Sequence, residues 1–144
     1  MKNVALIMLS LSMMVACSDK KAESVKAVEE KAMAFAEAYY RYDLGTASQL
    51  ATPEATRQLK FVASNITQDD IDLLNSQTEG PIIEVVDCQP LSDSLWRTHL
   101  SVSHYMEMDS IDGPMRLRDE GEAELTLVFR NRKWLVKSVI TEGI

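Results

Sequence analysis

Apolar and polar residues alternate along the stretch from Ser94 to Arg130. In its first part the even positions form one face, which is mostly apolar: Trp96, Thr98, Leu100, Val102, His104, Met106 and Met108. A two-residue period is typical of a strand with one buried and one exposed face. After the turn signal at 112–114, the odd positions continue the apolar face from Met115 to Phe129. The pattern predicts one long β-hairpin whose alternate side chains point into a common interior.

The polar residues of the hairpin predict its register. If Met108 pairs with Met115, three favourable pairs form on the outer face: Glu107 with Arg116, Tyr105 with Arg118, and His99 with Glu124. The same register places His104 opposite Asp119 on the apolar face. A slip of two residues would make these two side chains diagonal neighbours on that same face.

Two further strands flank the hairpin. The run from Ile82 to Cys88 is rich in β-branched residues, follows the helix-breaking Gly80-Pro81 and is closed by Pro90. After a tight turn at 129–134, a fourth strand is predicted from Lys133 to Thr141. The second half of the chain therefore predicts four antiparallel strands.

The first half of the chain has the period of amphipathic helices. Apolar side chains share one face of a predicted helix from Ala22 to Tyr42: Val25, Val28, Ala32, Phe35, Ala36 and Tyr39. Asp43-Leu44-Gly45 is expected to end this helix. Three capping signals predict shorter helices after it: Thr46 with Gln49, Thr52 with Pro53, and Thr67 with Asp70. The two halves together predict an α+β fold, with N-terminal helices packed on a curved four-stranded antiparallel sheet.

The composition fits one domain and argues against one class of partner. A chain of 144 residues, 46% of them hydrophobic, is long enough for a single core and too short for two. Its 15 Lys and Arg residues are outnumbered by 22 Asp and Glu residues, and the formal net charge is −7. Because a phosphate backbone requires clustered basic residues, no nucleic-acid partner is predicted.

The first residues have the pattern of a targeting segment. Lys2 is followed by an apolar run from Val4 to Ala16, which has the length of a signal-peptide core and is too short to span a membrane. The motif Met14-Val15-Ala16-Cys17 resembles the lipobox of bacterial lipoproteins, with Met14 where that family usually has Leu. The resemblance implies a signal peptide at 1–16, diacylglycerol and an acyl chain such as palmitate on Cys17, a lipidated tether at 17–21 and one domain at 22–144. The alternative is an ordinary cleaved signal in which Cys17 has no role.

A lipid on Cys17 has consequences for location and for the second cysteine. Several acyl chains anchor a protein stably to a membrane, so the resemblance implies a bacterial cell-envelope protein. Ser18 after the cysteine favours the outer over the inner membrane, and the periplasmic or surface face stays open. Cys88 would then be the only thiol of the mature chain. Its strand context predicts a buried, inert thiol.

His104 and Asp119 are the candidate catalytic pair. Burial disfavours charge on the imidazole and a carboxylate favours it, so such a dyad at a cavity mouth would be able to move a proton. With Trp96 and Met106, the same two residues are candidates for lining a ligand pocket. The alternative is a solvent-exposed pair near the hairpin tip. His99 and His104 point to opposite faces, which argues against a two-histidine metal site, and neither a metal nor a cofactor is predicted.

The order of a long helix, short helices and an antiparallel sheet resembles the NTF2-like superfamily, and within it small envelope lipoproteins of the DUF4878 kind. The resemblance is carried by three runs: Phe35 to Asp43, Ala47 to Thr56, and Trp134 to Val139. It implies a cone-shaped interior, in which the superfamily's enzymes use acids and histidines. Here only His104 and Asp119 match that logic. It also implies a homodimer through the outer face of the sheet, where an apolar strip is expected from Leu95, Val128, Leu135 and Val139.

Two functions are therefore considered. The first is a non-enzymatic, lipid-anchored envelope module that binds a small ligand or a protein partner. The alternative is an NTF2-like lyase or isomerase with His104 as the base and Asp119 as its partner. A deep cavity lined by both side chains would favour the enzyme, and an interior filled by Trp96, Phe129 and Met106 would favour the binding module. A cystatin-like inhibitor shares the helix-on-sheet outline, but the acidic turn from 109 to 114 predicts no inhibitory wedge.

Overall fold

Four antiparallel strands form one sheet, and they lie side by side in chain order. The computed structural model describes residues 23–108, 110 and 113–143. The strands are β1 (Ile82–Ser92), β2 (Leu95–Met108), β3 (Met115–Arg130) and β4 (Lys133–Gly143). β1 continues past its predicted end, because Pro90 pairs with Trp96 on the free edge of the sheet, where a missing amide proton is tolerated.

The register of the central hairpin confirms the prediction from its polar pairs. Met108 pairs with Met115, and the three predicted pairs, 107 with 116, 105 with 118 and 99 with 124, are all backbone partners across the two strands. Leu100 and Leu125 are both almost completely buried, so the two strands share one interior face. The alternation of the sequence therefore predicts the pairing of β2 with β3 correctly.

Four helices precede the sheet in the described residues. They are α1 (23–40), α2 (Leu44–Gln49), α3 (Pro53–Ser64) and α4 (Gln68–Ser76). The caps of α3 by Thr52 and of α4 by the Thr67 and Asp70 capping box are as predicted. The prediction for α2 is wrong, because Asp43 and not Thr46 is its cap: the Asp43 carboxylate accepts a hydrogen bond from the Thr46 amide at 3.1 Å.

The end of α1 also differs from the prediction. The helix ends at residue 40 in a Schellman motif, in which the Asp43 amide donates to the Ala38 carbonyl at 2.9 Å and the Tyr42 amide to the Tyr39 carbonyl at 3.0 Å. Tyr42 occupies the left-handed position, with φ of 59°, where glycine is usual. Gly45, which was expected to end the helix, lies inside α2.

The core lies between α1 and the concave face of the sheet. Six side chains of α1 are buried there, and four of them lie close together along the helix: Val28, Ala32, Phe35 and Ala36. Their four-residue and three-residue spacing places them on one face of the helix, as the sequence predicts. Two backbone hydrogen bonds fasten the α2–α3 connection to β4: the Thr52 amide donates to the Val136 carbonyl and the Val136 amide to the Leu50 carbonyl, each at 2.9 Å.

A bulge in β4 changes the outer face of the sheet. Leu127 pairs with Val136 and Thr126 with Ser138, which leaves Lys137 without a partner strand residue. The extra residue reverses the alternation, so Val139 packs against the core and is not on the outer face as predicted. Leu135 is only 8% exposed. The predicted four-residue apolar strip is thus reduced to Leu95, Val128 and Leu135, which are neighbours across β2, β3 and β4.

The signal peptide, the lipobox with Cys17 and the tether, as predicted, lie at 1–21, outside the described residues. Within the part of the chain that the structure describes, no helix is long and apolar enough to cross a membrane.

Candidate functional site

His104 and Asp119 do not form the predicted buried pair. The backbone of His104 is left-handed, with φ of 57°, and its side chain is 45% exposed. Asp119 is also exposed. The imidazole instead faces Glu79, in the loop between α4 and β1, with 3.5 Å between His104 Nε2 and Glu79 Oε2. The buried dyad is therefore absent and the solvent-exposed alternative is observed, because one left-handed residue interrupts the alternation of β2 and turns His104 away from the interior.

The same interruption turns the next residue inward. Tyr105, predicted on the outer face, is buried, and its ring contacts Tyr40 of α1 edge to face at a centroid distance of 5.1 Å. Leu117, predicted on the inner face, is 48% exposed. Phe129, also predicted inside, is 45% exposed and packs against Trp134 at the rim of the sheet, with ring centroids 5.2 Å apart.

Four tyrosines fill the interior beside this point. Tyr39, Tyr40 and Tyr42 come from the end of α1 and Tyr105 from β2, and burial raises the pKa of all four phenols. Their hydroxyls therefore stay protonated and can donate hydrogen bonds, as Tyr42 Oη does to the Met106 carbonyl at 3.0 Å.

A small cavity of about 40 Å³ remains among the four tyrosines, next to the Glu107 carboxylate and Thr141. The Glu107 carboxylate accepts a hydrogen bond from Arg118 Nε at 3.0 Å. A space of this size holds one or a few water molecules and is too small for a substrate. The cone is therefore a packed interior at the place where a substrate cavity was considered.

An open pocket of about 320 Å³ lies outside this packed interior. It is bounded by the end of α1, by the segment from the end of α4 to the start of β1, and by the parts of β2 and β3 next to their connecting turn. Three of its side chains can carry charge, Arg41, Glu79 and His104, and four are apolar: Leu74, Pro81, Met106 and Leu117. Its volume is at the lower end of the range for small-molecule pockets.

The Arg41 side chain lies at this pocket beside the backbone of the facing loop. Its guanidinium lies over Gly80, so that a β-carbon at position 80 would be 3.3 Å from Nη2 and 3.4 Å from Cζ. A larger residue at position 80 would displace the guanidinium. Among the described residues, no carboxylate pairs with the Arg41 guanidinium and no side chain hydrogen bonds to it. The Arg41 guanidinium is thus a cation at the pocket whose hydrogen-bond donors are available to a ligand.

The four predicted pocket residues separate in the structure. His104 and Met106 line the open pocket, whereas Trp96 is buried in the core beside Trp134 and Asp119 is not part of the lining. Arg41 and Glu79 were not predicted. No periodic signal marks them, because one follows a helix end and the other lies in a loop.

The outer face of the sheet carries a second polar cluster. Glu124 lies between two basic side chains of β2, with 3.1 Å from its Oε2 to His99 Nε2 and 3.3 Å from its Oε1 to Arg97 Nε. The predicted pairing of His99 with Glu124 is thereby confirmed. No cluster of three or more metal-ligating side chains occurs in residues 23–108, 110 and 113–143.

Cys88 is half-buried in β1. Its Sγ is 3.4 Å from Thr98 Oγ1, and burial raises the pKa of the thiol although the Thr98 hydrogen bond opposes this shift. The thiol is thus less buried than predicted, and its low reactivity stays a prediction.

No protein-family model and no curated protein matches the sequence. Solved structures do match it. A ketosteroid isomerase-like protein from Erwinia carotovora atroseptica SCRI1043 superposes with a TM-score of 0.62 at 13% identity, over 85% of this chain and 97% of that one. A candidate dehydratase of the NTF2-like family from Streptomyces avermitilis gives 0.54 at 16% identity, over 86% and 98%.

An NTF2-like protein of unknown function from Shewanella oneidensis MR-1 gives a TM-score of 0.53 at 14% identity, over 81% of this chain and 96% of that one. At these identities the likeness shows the fold and carries no activity. The fold is therefore an α+β NTF2-like cone, as the resemblance in the sequence implied.

Proposed function

We propose that this chain, an NTF2-like cone, is a non-enzymatic, lipid-anchored module of the bacterial cell envelope that binds a small ligand, as a relative of envelope lipoproteins of the DUF4878 kind. The observation that carries the ligand-binding part is the open pocket of about 320 Å³, with Arg41, Glu79 and His104 at its edge. The lining also includes the polar side chains of Asn75, Gln77 and Thr78, and a concave pocket in which polar groups converge beside apolar ones is a typical ligand site.

Binding is favoured over catalysis by the state of the cone interior. The space between α1 and the sheet is occupied by Tyr40 and Tyr105, and Trp96 is buried in the same core. The alternative lyase or isomerase required His104 and Asp119 to face each other in a cavity, and both are exposed. The isomerase-like and dehydratase names belong to structural neighbours, and this chain lacks the dyad that would support either activity here.

The anchor is supported by Met14-Val15-Ala16-Cys17 and by the short distance from Cys17 to the described domain. Five tether residues span at most about 18 Å when fully extended. A lipid on Cys17 would therefore hold the domain next to the membrane surface.

Mass spectrometry of the protein purified from bacterial membranes tests the anchor. We expect the N-terminal peptide to begin at Cys17 and to carry diacylglycerol on the sulfur and an acyl chain on the amine. Cys17→Ser should remain uncleaved or unlipidated and leave the membrane fraction. An unmodified Cys17 in the mature protein would contradict the anchor and leave the ligand proposal standing.

Ligand retention tests the pocket. The purified protein is exposed to a small-molecule extract of the cell envelope, washed, and analysed for bound molecules by native mass spectrometry. Leu117→Trp should fill the pocket and abolish retention, whereas Ile82→Trp, at an exposed β1 position outside the pocket lining, should not. Equal retention by Leu117→Trp and the parent protein, or none by either, would overturn the proposal.

A further inference from the structure

We infer that the pocket recognises a small monocarboxylate with an apolar body, whose carboxylate lies between Arg41 and His104. This inference rests on the proposed ligand-binding function and adds the chemical class of the ligand. It depends on three observations: a guanidinium beside Gly80 that has no partner among the described residues, an imidazole that faces an exposed carboxylate, and apolar side chains in the same lining.

Arg41 supplies the first anion contact. Its planar guanidinium presents several N–H donors in a fixed geometry that matches a carboxylate. The guanidinium lies beside the Gly80 backbone, where the absence of a side chain leaves room for it.

His104 supplies the second contact, and Glu79 shows what fits there. The left-handed backbone of His104 directs its ring out of the ladder and toward the loop, where Nε2 meets the Glu79 carboxylate at 3.5 Å. The Glu79 side chain is 77% exposed, and exposed ion pairs of this kind are weak. A ligand carboxylate can therefore take the place of Glu79 at little cost, and Glu79 would swing into solvent.

The apolar side chains of the lining determine what kind of group the ligand can carry besides its carboxylate. Leu74, Pro81 and Leu117 give the pocket an apolar wall, and Leu117 is 48% exposed although apolar. Covering this surface with an apolar group is favourable. The volume of about 320 Å³ limits that group to a compact chain or a single ring.

A single negative charge is favoured over a phosphate. The protein has a formal net charge of −7, and Glu79 adds a carboxylate at the pocket edge. Arg41 carries one permanent positive charge and balances a monoanion, whereas a dianion would leave excess negative charge near Glu79.

Titration of the ¹⁵N-labelled protein, as purified from cells, with four matched probes tests this inference by NMR. The probes are phenylacetate, phenylacetamide, phenylethylamine and phenyl phosphate. We expect phenylacetate to give saturable shifts of the Arg41, Gly80 and His104 amide signals, and each of the other three to bind at least several-fold more weakly. Arg41→Gln should weaken phenylacetate binding about tenfold, because the charge-assisted hydrogen bonds are lost.

Two further variants distinguish the effect of charge at the pocket from a nonspecific effect of substitution. Glu79→Gln should bind phenylacetate more tightly than the parent protein, since the competing carboxylate is removed. Arg57→Gln, on the exposed face of α3 and outside the pocket lining, should leave phenylacetate binding unchanged.

The inference is overturned by equal binding of phenylacetamide, by tighter binding of phenyl phosphate, by unchanged binding in Arg41→Gln, or by no saturable shift up to about 20 mM. If phenylacetamide bound equally well and shifted the same amide signals, the ligand would not need to be a carboxylate, and the ligand-binding proposal would still stand. Absence of retention in the extract experiment would remove the ligand-binding proposal itself.

Discussion

The ring of Tyr105 occupies the space that a side chain at position 121 would need. A β-carbon on Gly121 would collide with the phenol oxygen of Tyr105 and lie 2.8 Å from its Cζ. Gly121 pairs with Val102 on the concave side of the sheet, so the absence of a side chain there lets the inward-turned tyrosine lie against the backbone. The packed interior beside the pocket therefore depends on this glycine.

We predict that Gly121→Ala lowers the free energy of unfolding by about 1–3 kcal/mol, because the added methyl group overpacks the site. Urea denaturation of both proteins measures the difference. Gly45→Ala is the matched control: the nearest heavy atom to its new β-carbon is Asp43 Oδ1 at 3.8 Å, and the position is helical. It should be neutral or stabilising by up to about 1 kcal/mol. Equal stability of Gly121→Ala and the parent would contradict the contact.

A second prediction concerns the left-handed backbone of His104, with φ of 57°. His104→Val should destabilise the protein by about 1–2 kcal/mol, since a β-branched residue is strongly disfavoured in this conformation, and His104→Gly should carry no such penalty. Thermal unfolding compares the two variants. Ser103→Val, at a neighbouring extended position, controls for the change in hydrophobicity. Equal melting temperatures of the valine and glycine variants would show that the left-handed conformation is absent in solution.

The hairpin shows how far alternation and charge predict this fold. The face from Trp96 to Val102 and the pairing of His99 with Glu124 follow from residue order alone, because side chains in a strand alternate and opposite charges pair across it. The order of α1, the short helices and four strands follows in the same way from periodicity and from the caps at Thr52 and Thr67.

The candidate site could not be predicted because it depends on local backbone exceptions and on loops. The left-handed residue at His104 and the bulge at Lys137 each exchange the inner and outer faces of a strand. Neither position is a glycine, the residue from which such an irregularity is usually predicted. Arg41 and Gly80 are 39 positions apart in the sequence, and their contact follows from how the α4–β1 loop folds back on the end of α1.

A third prediction concerns the capping box of α4. The Asp70 carboxylate accepts hydrogen bonds from the Thr67 backbone amide and the Thr67 hydroxyl, both at 2.8 Å, and these hold its pKa below the ordinary value of 3.8. Asp70→Ala should lower the free energy of unfolding by about 1 kcal/mol near neutral pH, which is the usual cost of a lost cap. Asp72→Ala, on the same helix and exposed, should change it by less than about 0.5 kcal/mol.

The pH dependence of this pair follows from the direction of the shift. A carboxyl whose folded-state pKa is depressed contributes stability above its unfolded-state pKa and loses it as the pH falls through the folded-state value. The difference between the parent protein and Asp70→Ala should therefore be constant above about pH 5 and shrink below about pH 3.8. A difference that stays constant down to about pH 2 would show that the carboxylate form contributes nothing.

The last prediction concerns Cys88, the only other cysteine besides Cys17. Burial raises the pKa of its thiol from the ordinary value of 9.0, and only the thiolate reacts with iodoacetamide. In Cys17→Ser, where Cys88 is the one thiol, alkylation at about pH 8 should therefore be several-fold slower in the folded protein than in the same protein unfolded in urea. Thr98→Val should slow it further, since the hydrogen bond that lowers the pKa is lost, whereas Thr126→Val, on the outer face of β3, should not. Mass spectrometry follows the rate. Alkylation as fast in the folded protein as in urea would show that the thiol is accessible and reactive, against its position beside Thr98.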